Sequence, residues 1–315
     1  MPVESPLLAE GGPELPRRGA AAKAARVESI HPGGHRASQR ALLGAALQLF
    51  GCLCLGFVLV LTAVGGLEYG RRQSSAYADL RAQLANGVAP VGPYDTYGNL
   101  VPLGKPVAVL TIPALHRRDV VLQGTTSGVL QGGPGHLRSS VFPGQIGESV
   151  VLGKRGTFGA PFAHLDRLEP GDDITVVTGQ GMSQYRVVDR RRAGGVIPAL
   201  APGAGRLVLA TSEGNPLSPS GVLWVDADLT SKAQPASSPL PASALVDAEL
   251  PMRGDASHGL SLVLAGQLLL AAALLLVVLR QRWGRRQAWL VTSLPLLALS
   301  IVVCSSVARL LPNLQ

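Results

Sequence analysis

The cysteines are the residues whose chemistry the sequence constrains most. Cys52 and Cys54 lie in one apolar stretch of the chain and Cys304 in another, whereas the long segment 67–258 contains no cysteine. A disulfide, a cysteine-based metal site and a cysteine nucleophile are therefore excluded from that segment. Nucleophilic chemistry there would need a hydroxyl group and a base that accepts its proton.

Two histidines of the same segment lack the setting of metal ligands. His136 in GGPGHLR and His164 in PFAHL have no Cys, Asp or Glu partner at metal-ligand spacing. We expect His136 to order a loop and His164 to lie at the surface or to cap a short helix. The glycine-rich TGQG (178–181) lacks the helix start and the lysine of a phosphate-binding loop, and is predicted to be a hairpin turn.

Four aspartates offer the hard oxygen ligands that Ca²⁺ prefers: Asp172, Asp173, Asp226 and Asp228. However, Gly-Asp is a common turn before a strand, and alternate aspartates are expected on the solvent face of a strand. The sequence therefore predicts neither a metal nor any other cofactor.

The elements that would position these residues are short strands. Between 105 and 229, runs rich in β-branched residues are bounded by Gly, Pro, Asp or Ser, which is typical of an all-β barrel or sandwich. The predicted strands are 107–112, 119–123, 149–153, 173–178, 184–189, 206–211 and 221–229. The helical pattern within this range is limited to one or two turns at 161–168.

The chain also has three apolar stretches long enough for transmembrane helices. They are 41–66, 259–279 and 288–308. The loop 280–287 contains four arginines, and basic residues are retained on the cytoplasmic side. The sequence thus predicts a multi-pass protein of the cell membrane, with a cytoplasmic N-terminus and with 67–258 and 309–315 outside the cell.

The remaining segments are polar. Residues 1–40 have the composition of a disordered cytoplasmic tail, 67–104 are predicted to form an extracellular stalk and linker that begins with a helix, and 230–258 a Pro/Ala/Ser-rich linker. The formal net charge of +8 is concentrated at the membrane boundary, because 67–258 has 17 basic and 16 acidic residues. The lipid bilayer is accordingly a predicted partner, and nucleic acid is not.

Residues 105–229 resemble the sortase domain, especially the class E-like sortases of actinobacteria. The resemblance is carried in order by VAVLTIPAL (107–115), GGPGHLRSSVFPGQIGESVVLG (132–153), the stretch from TFGAPF to QYRV (157–187) and RLVLATSEGNP (206–216). It implies a closed β-barrel domain. Sortases, as the resemblance implies, join surface proteins that carry a C-terminal sorting signal to a cell-wall amine or to pilin subunits.

In sortases a Cys thiolate attacks the backbone carbonyl after a Thr, a His transfers protons and an Arg stabilises the oxyanion. By the resemblance, Lys154 stands at the His position, Ser212 at the Cys position and Val222 near the Arg position. All three residue types that the family uses for catalysis are thus replaced.

Three functional interpretations follow. In the first, which the sequence favours, the domain is catalytically silent and binds or scaffolds surface-protein or cell-wall partners. In the second, Ser212 is the nucleophile and Lys154 its base in a hydrolase or transpeptidase, which requires a neutral Lys154. Burial or the adjacent Arg155 would favour that neutral form, and Glu213 would oppose it. In the third, the membrane helices are the working part and the barrel is a spacer.

The same resemblance places Lys154 and Ser212 at the border of one cleft, together with the loop 213–221. Glu213 and Val222 are the further residues expected to line it. In relatives, as the resemblance implies, this cleft holds an extended peptide. The predicted partner is therefore an extracellular peptide or surface protein, or a cell-wall precursor.

Overall fold

A computed structural model of the chain describes residues 53–59, 63–192, 195, 199–215, 218–255, 259–282 and 285–314. Its centre is a closed barrel with the strand order β1-β2-β3-β4-β7-β8-β6-β5. The strands are β1 (Pro106–Ile112), β2 (Arg117–Gln123), β3 (Gly135–His136), β4 (Gly147–Leu152), β5 (Asp173–Thr178), β6 (Gly181–Arg191), β7 (Gly205–Asn215) and β8 (Ser218–Leu229).

Two neighbouring pairs of strands in the barrel are parallel. They are β2 with β3 and β4 with β7, whereas the other pairs are antiparallel. In the second parallel pair Leu152, the last residue of β4, lies opposite Ala210 of β7. Because parallel strands run in the same direction, the residues that follow these two emerge at the same end of the barrel.

Alternating residues of the strands fill the barrel with apolar side chains, as expected for positions that face a closed interior. The two aromatic residues Phe142 and Phe162 and the ring of Tyr185 belong to this core. Its buried aliphatic members include Leu110, Ile112, Val121, Val151, Ile174, Val176, Val187, Leu207, Leu209 and Val225. This interior fixes the strand ends that carry the candidate site.

A helix, α1 (Gly65–Ala85), packs along the outside of the barrel on β2. The Gln73 side chain binds the main chain of Val120 through both of its amide atoms, Nε2 to O at 3.0 Å and Oε1 to N at 2.6 Å. The hydroxyl of Tyr69 donates to Asp119 at 2.5 Å, and Leu80 is fully buried against the barrel wall. The polar segment that follows the first apolar stretch is therefore a helix that packs on the barrel.

Two further helices, α3 (Gly259–Arg282) and α4 (Arg285–Leu310), are long and apolar enough to cross a membrane. The closed β-barrel predicted for residues 105–229 is confirmed, and helices accompany it, so the described chain mixes strand and helix. The two long apolar helices coincide with the second and third predicted spans. Most of the first predicted span, 41–66, lies outside the described residues.

Three local predictions are also revised or confirmed. The helix expected at 161–168 is reduced to a 3₁₀ turn, Leu165–Arg167, because the chain before it turns repeatedly. A short helix α2 (Ser127–Leu130) and the two-residue β3 were not predicted, since both are too short for a periodic pattern. The TGQG sequence forms the β5–β6 hairpin turn, as predicted.

The segment 230–255 follows the barrel surface and includes two 3₁₀ turns, Ala242–Ala244 and Asp247–Glu249. Glu249 is fully buried and forms an ion pair with Arg138, with its Oε2 at 2.8 Å from Nε. The carbonyl oxygen of Glu249 accepts a hydrogen bond from Thr125 Oγ1 at 2.6 Å. These contacts hold the end of the segment beside the candidate site.

Candidate functional site

Lys154 and Ser212 lie at the same end of the barrel, two residues beyond the paired positions Leu152 and Ala210. Gly153 N donates to the Ala210 carbonyl at 3.0 Å, and Thr211 Oγ1 donates to the Gly153 carbonyl at 2.8 Å. These bonds continue the parallel pairing past the end of β4. The structure therefore brings together the two residues that the sequence singles out.

Lys154 is enclosed, with 1% of its surface exposed. Its ammonium group lies 5.6 Å from the centre of the Phe158 ring, a favourable position for a cation on an aromatic face. Burial disfavours the charged form and lowers the pKa of Lys154 from its usual 10.5 to about 7. The neutral form that the serine–lysine interpretation requires of Lys154 is therefore favoured by burial.

The loop 155–160 that carries Phe158 has an unusual backbone. Phe158 and Ala160 have positive φ angles of 48° and 41°, and Gly159 between them has φ 73°. A Cβ atom at Gly159 would lie 2.4 Å from the ring of Tyr69, so a glycine is required there. This close approach to α1 fixes the loop and sets the Phe158 ring against Lys154.

Ser212 is fully buried on β7 and lies opposite Val222 of β8. Val222 is partly buried and packs against the apolar cluster at this barrel end. Arg155 is bonded to the main chain of Ser212, because its Nη1 donates to the Ser212 carbonyl at 2.9 Å. Arg155 also lies 3.6 Å from a carboxylate oxygen of Asp166.

Glu213, the residue after Ser212 on β7, forms an ion pair with Arg192. Successive side chains of a strand point to opposite faces, so the Glu213 carboxylate is directed away from the side chain of Ser212. The expectation that Glu213 would stabilise the charged form of Lys154 is therefore not supported by its contacts. Residues 213–221, predicted as a loop, instead extend β7 and β8 on both sides of residues 216–217, which lie outside the described residues.

A segment of the same chain, residues 311–314, which follows α4, packs beside Ser212. The carbonyl oxygen of Leu314 accepts two hydrogen bonds, from Ser212 Oγ at 3.1 Å and from Arg155 N at 3.2 Å. The Leu314 side chain is fully buried in a cluster with Leu130, Val150, Leu152, Val208 and Ala210. Burial of a leucine side chain of this kind contributes about 1.5–3 kcal/mol.

Asn313 is held as firmly as its neighbour and is also fully buried. Its Nδ2 donates to the carbonyl oxygens of Thr125 at 2.9 Å and Leu250 at 3.0 Å. Its main-chain N donates to the Arg253 carbonyl at 2.9 Å. The segment 311–314 is therefore bound between the barrel and the end of segment 230–255.

The remaining candidate ligands have structural partners. His136 is buried, with Nδ1 3.0 Å from Gln123 Oε1 and Nε2 2.9 Å from the Val141 carbonyl, and burial lowers its pKa to about 4. Asp226, expected at the solvent face, is instead fully buried and paired with Arg191 at 2.6 Å.

The other three aspartates also have partners among the described residues. Asp173 pairs with Arg186, Asp228 with Arg206, and Asp172 accepts from the Glu169 main chain. No group of three or more His, Cys, Asp or Glu residues suited to a metal ion is found within the described part of the chain.

Arg155, Asn313 and Leu314 are the site residues that the sequence did not indicate. The sequence indicated Arg155 only as a neighbour of Lys154. It did not indicate that the main-chain N–H of Arg155 would bind Leu314. Leu314 is 102 residues from Ser212. No local pattern connects positions so far apart.

Residues 110–214 match the family model of the Sortase domain. Two curated relatives are a sortase D of Bacillus subtilis, 29% identical over 85 residues, and the sortase SrtE1 of Streptomyces coelicolor, 27% identical over 178 residues. These alignments cover 27% and 54% of this chain and 41% and 47% of the relatives. The chain thus spans less than half of the length of either relative.

Solved sortase structures are also similar. They include a sortase D5 transpeptidase of Clostridium perfringens, with TM-score 0.42, 18% identity and coverage of 51% of this chain and 99% of that chain. The sortase E of Streptomyces avermitilis has TM-score 0.37 and 29% identity, and the match covers 48% of this chain and all of that chain.

The closed eight-stranded barrel and the matched residues define a sortase-fold protein. Residues 110–214 of the chain are thus similar to the Sortase domain.

Proposed function

We propose that this chain is a sortase-like protein, anchored in the cell membrane, that binds peptide segments of surface-protein or cell-wall partners without transferring them. The observation that carries the proposal is the contact of Ser212 and Arg155 with the main-chain carbonyl of Leu314. The site binds the main-chain carbonyl of Leu314 through two hydrogen-bond donors and encloses the Leu314 side chain in an apolar cluster. An external peptide could be bound through the same two kinds of contact.

The residue types at the site support the proposed absence of transfer chemistry. The family's thiolate is replaced by the Ser212 hydroxyl, which is a weak nucleophile unless a base removes its proton. Val222, opposite Ser212, supplies no charge where the resemblance implies an arginine. The Ser212 hydroxyl donates a hydrogen bond to the carbonyl oxygen of Leu314, so it serves as a recognition group in this arrangement.

A second candidate function is peptide hydrolysis or transpeptidation by Ser212 with Lys154 as its base. The observation that favours it is the pKa of Lys154, which burial lowers to about 7 and which allows a neutral amine at physiological pH. The main-chain N–H of Arg155, which donates to the Leu314 oxygen, would then be the donor available to a developing oxyanion.

The proposed location is the outer face of the cell membrane. Its support is the apolar length of α3 and α4, together with the four arginines of 280–287, which would keep that loop in the cytoplasm. The barrel would then lie outside the cell, with the first apolar stretch, 41–66, as a third span and residues 1–40 inside.

Affinity selection from a random peptide library tests the proposal on the full chain in detergent micelles. Ser212→Ala is the site variant, and Ser220→Ala, an exposed serine on β8, is the matched control. We expect peptides to be enriched by the wild type and by Ser220→Ala, to be lost with Ser212→Ala, and to be recovered intact. Cleaved peptides that depend on Ser212 would favour the second candidate. No enrichment by the full chain or by a folded chain shortened to end at Leu310 would overturn both.

A further inference from the structure

Residues 311–314 fill the cleft in the manner of a ligand. We propose that this segment is a built-in ligand of the site, and that the external peptide that the cleft takes carries a carboxamide side chain followed by a branched aliphatic side chain. The inference rests on the proposed peptide-binding function and specifies the peptide. It also makes the segment a competitor that an external peptide must displace.

The aliphatic position is defined by the surroundings of Leu314. Its side chain enters an apolar pocket formed by α2, β4 and β7, and the partly buried Trp224 and Met252 pack against the same cluster. A charged or strongly polar side chain would be buried there without a partner, so the pocket selects an apolar residue of about the size of leucine.

The carboxamide position is defined by two carbonyl oxygens that converge on one amide nitrogen. Thr125 O belongs to the barrel and Leu250 O to the end of segment 230–255, and both accept from Asn313 Nδ2. A side chain at this position must donate two hydrogen bonds through one group, as an amide NH₂ can. A carboxylate would direct an oxygen at two other oxygens and would be repelled.

The carbonyl oxygen of Leu314 accepts hydrogen bonds from Ser212 Oγ and Arg155 N. Main-chain recognition fixes the direction of the peptide and its register, because the Asn313 N–H is bound to Arg253 O at the same time. The three groups together specify a peptide of two residues in a turn, with an amide side chain first and an aliphatic side chain second.

Access to the cleft requires that the built-in segment leave it. Asn313 and Leu314 are both fully buried, so an external peptide and the segment cannot be bound together. A tethered ligand acts at an effective concentration of about millimolar, which reduces the apparent affinity for an external peptide. Since residue 311 follows directly after α4, a shift of that helix would change the occupancy of the cleft.

The proposal is tested by fluorescence anisotropy of a labelled peptide, RLLPNLQ, which copies residues 309–315. The proteins are the full chain, a chain shortened to end at Leu310, and the full-length Leu314→Asp variant, all in detergent micelles. We expect both altered proteins to bind the peptide at least about tenfold more tightly than the unaltered chain, because the cleft is emptied. Circular dichroism and size-exclusion chromatography establish that each protein is folded.

Two altered peptides test the specificity. Asp in place of Asn313 and Asp in place of Leu314 are each expected to weaken binding to the shortened chain by at least about tenfold, since each leaves a buried group unpaired or repelled. Ser212→Ala in the shortened chain should also weaken binding, whereas Ser220→Ala should not.

Equal binding of the three peptides to the shortened chain would overturn the proposal that residues 311–314 are a built-in ligand. So would a failure of RLLPNLQ to bind either the shortened chain or the Leu314→Asp variant when both are folded. If the shortened chain then bound other peptides in a Ser212-dependent manner, the proposed function would stand without this inference. If it bound no peptide from the library, the proposed function would fail as well.

Discussion

The hydroxyl of Ser212 donates a hydrogen bond to the carbonyl oxygen of Leu314 over 3.1 Å, although the two residues are 102 positions apart. Arg155 N donates to the same oxygen, so one carbonyl of residues 311–314 is held by two donors at the barrel end. This contact links the candidate site, the end of α4 and the segment 230–255 in one arrangement. The predictions below follow from it.

Ser212→Ala removes one of the two hydrogen bonds to the Leu314 carbonyl. A hydrogen bond of this kind contributes about 1 kcal/mol, so local opening of residues 311–314 should become about fivefold more frequent. Hydrogen exchange of a peptide that covers 309–314 measures this change. Ser220→Ala is the control, and exchange that is equally fast in the two variants would contradict the role of Ser212.

Lys154 gives the folded protein a characteristic pH dependence. Its pKa is about 7 in the folded state and near 10.5 when exposed, so the unfolded chain binds more protons between these values. Stability should therefore rise as the pH increases from about 7 to about 10, and this contribution should be lowest and flat below pH 7.

Thermal unfolding of the detergent-solubilised chain between pH 6 and pH 10 measures the effect. Lys154→Met should remove the rise, and Lys232→Met, at an exposed lysine, should preserve it. An unchanged slope in Lys154→Met would show that another group is responsible.

The buried ion pair of Arg138 and Glu249 should be sensitive to the loss of one partner. Glu249→Ala leaves the Arg138 guanidinium, which is 8% exposed, without its carboxylate, and we expect a loss of about 3–5 kcal/mol. The hydrogen bond to Glu249 raises the pKa of Arg138, and Glu249→Ala removes this contribution. A guanidinium nevertheless stays protonated in proteins, so its buried charge is left uncompensated.

The matched control is Asp173→Ala, which breaks the exposed pair with Arg186 and should cost at most about 1 kcal/mol. Chemical unfolding of the three proteins provides the comparison. Similar losses in both variants would mean that segment 230–255 is not anchored by Glu249.

The proposed location outside the cell can be tested at one exposed position. Met182, at the β5–β6 hairpin, is 63% exposed, and the segment 67–258 has no cysteine of its own. Met182→Cys should react with a membrane-impermeant maleimide in intact cells, and the parent chain should not. Labelling that appears only after the cells are permeabilised would place the barrel on the cytoplasmic side.

The strands could be predicted from the sequence because each is a local pattern of β-branched residues between turn residues. DITVVT coincides with β5, and the other six predicted strands lie within or overlap β1, β2, β4, β6, β7 and β8. β3 was missed because two residues, Gly135 and His136, make no pattern, and the helix at 161–168 was overestimated because its apolar residues serve the barrel core.

The candidate site was predictable in part. The resemblance drew attention to Lys154 and Ser212, and the parallel pairing of β4 with β7 brings them to one barrel end. The partner of Ser212 was not predictable, because Leu314 follows an apolar helix and has no local signal of a ligand. The ion pair of Glu213 with Arg192 was not predictable either, because the two residues are far apart in the sequence.

The most direct test of the central claim asks whether Ser212 is chemically reactive once the cleft is open. A fluorophosphonate that labels activated serines is applied to the folded Leu314→Asp variant, alone and combined with Ser212→Ala or Lys154→Ala. A binding site without transfer chemistry predicts no labelling that depends on Ser212, in a protein that still binds peptide. Labelling that is lost with both Ser212→Ala and Lys154→Ala would contradict this account and establish a serine–lysine enzyme.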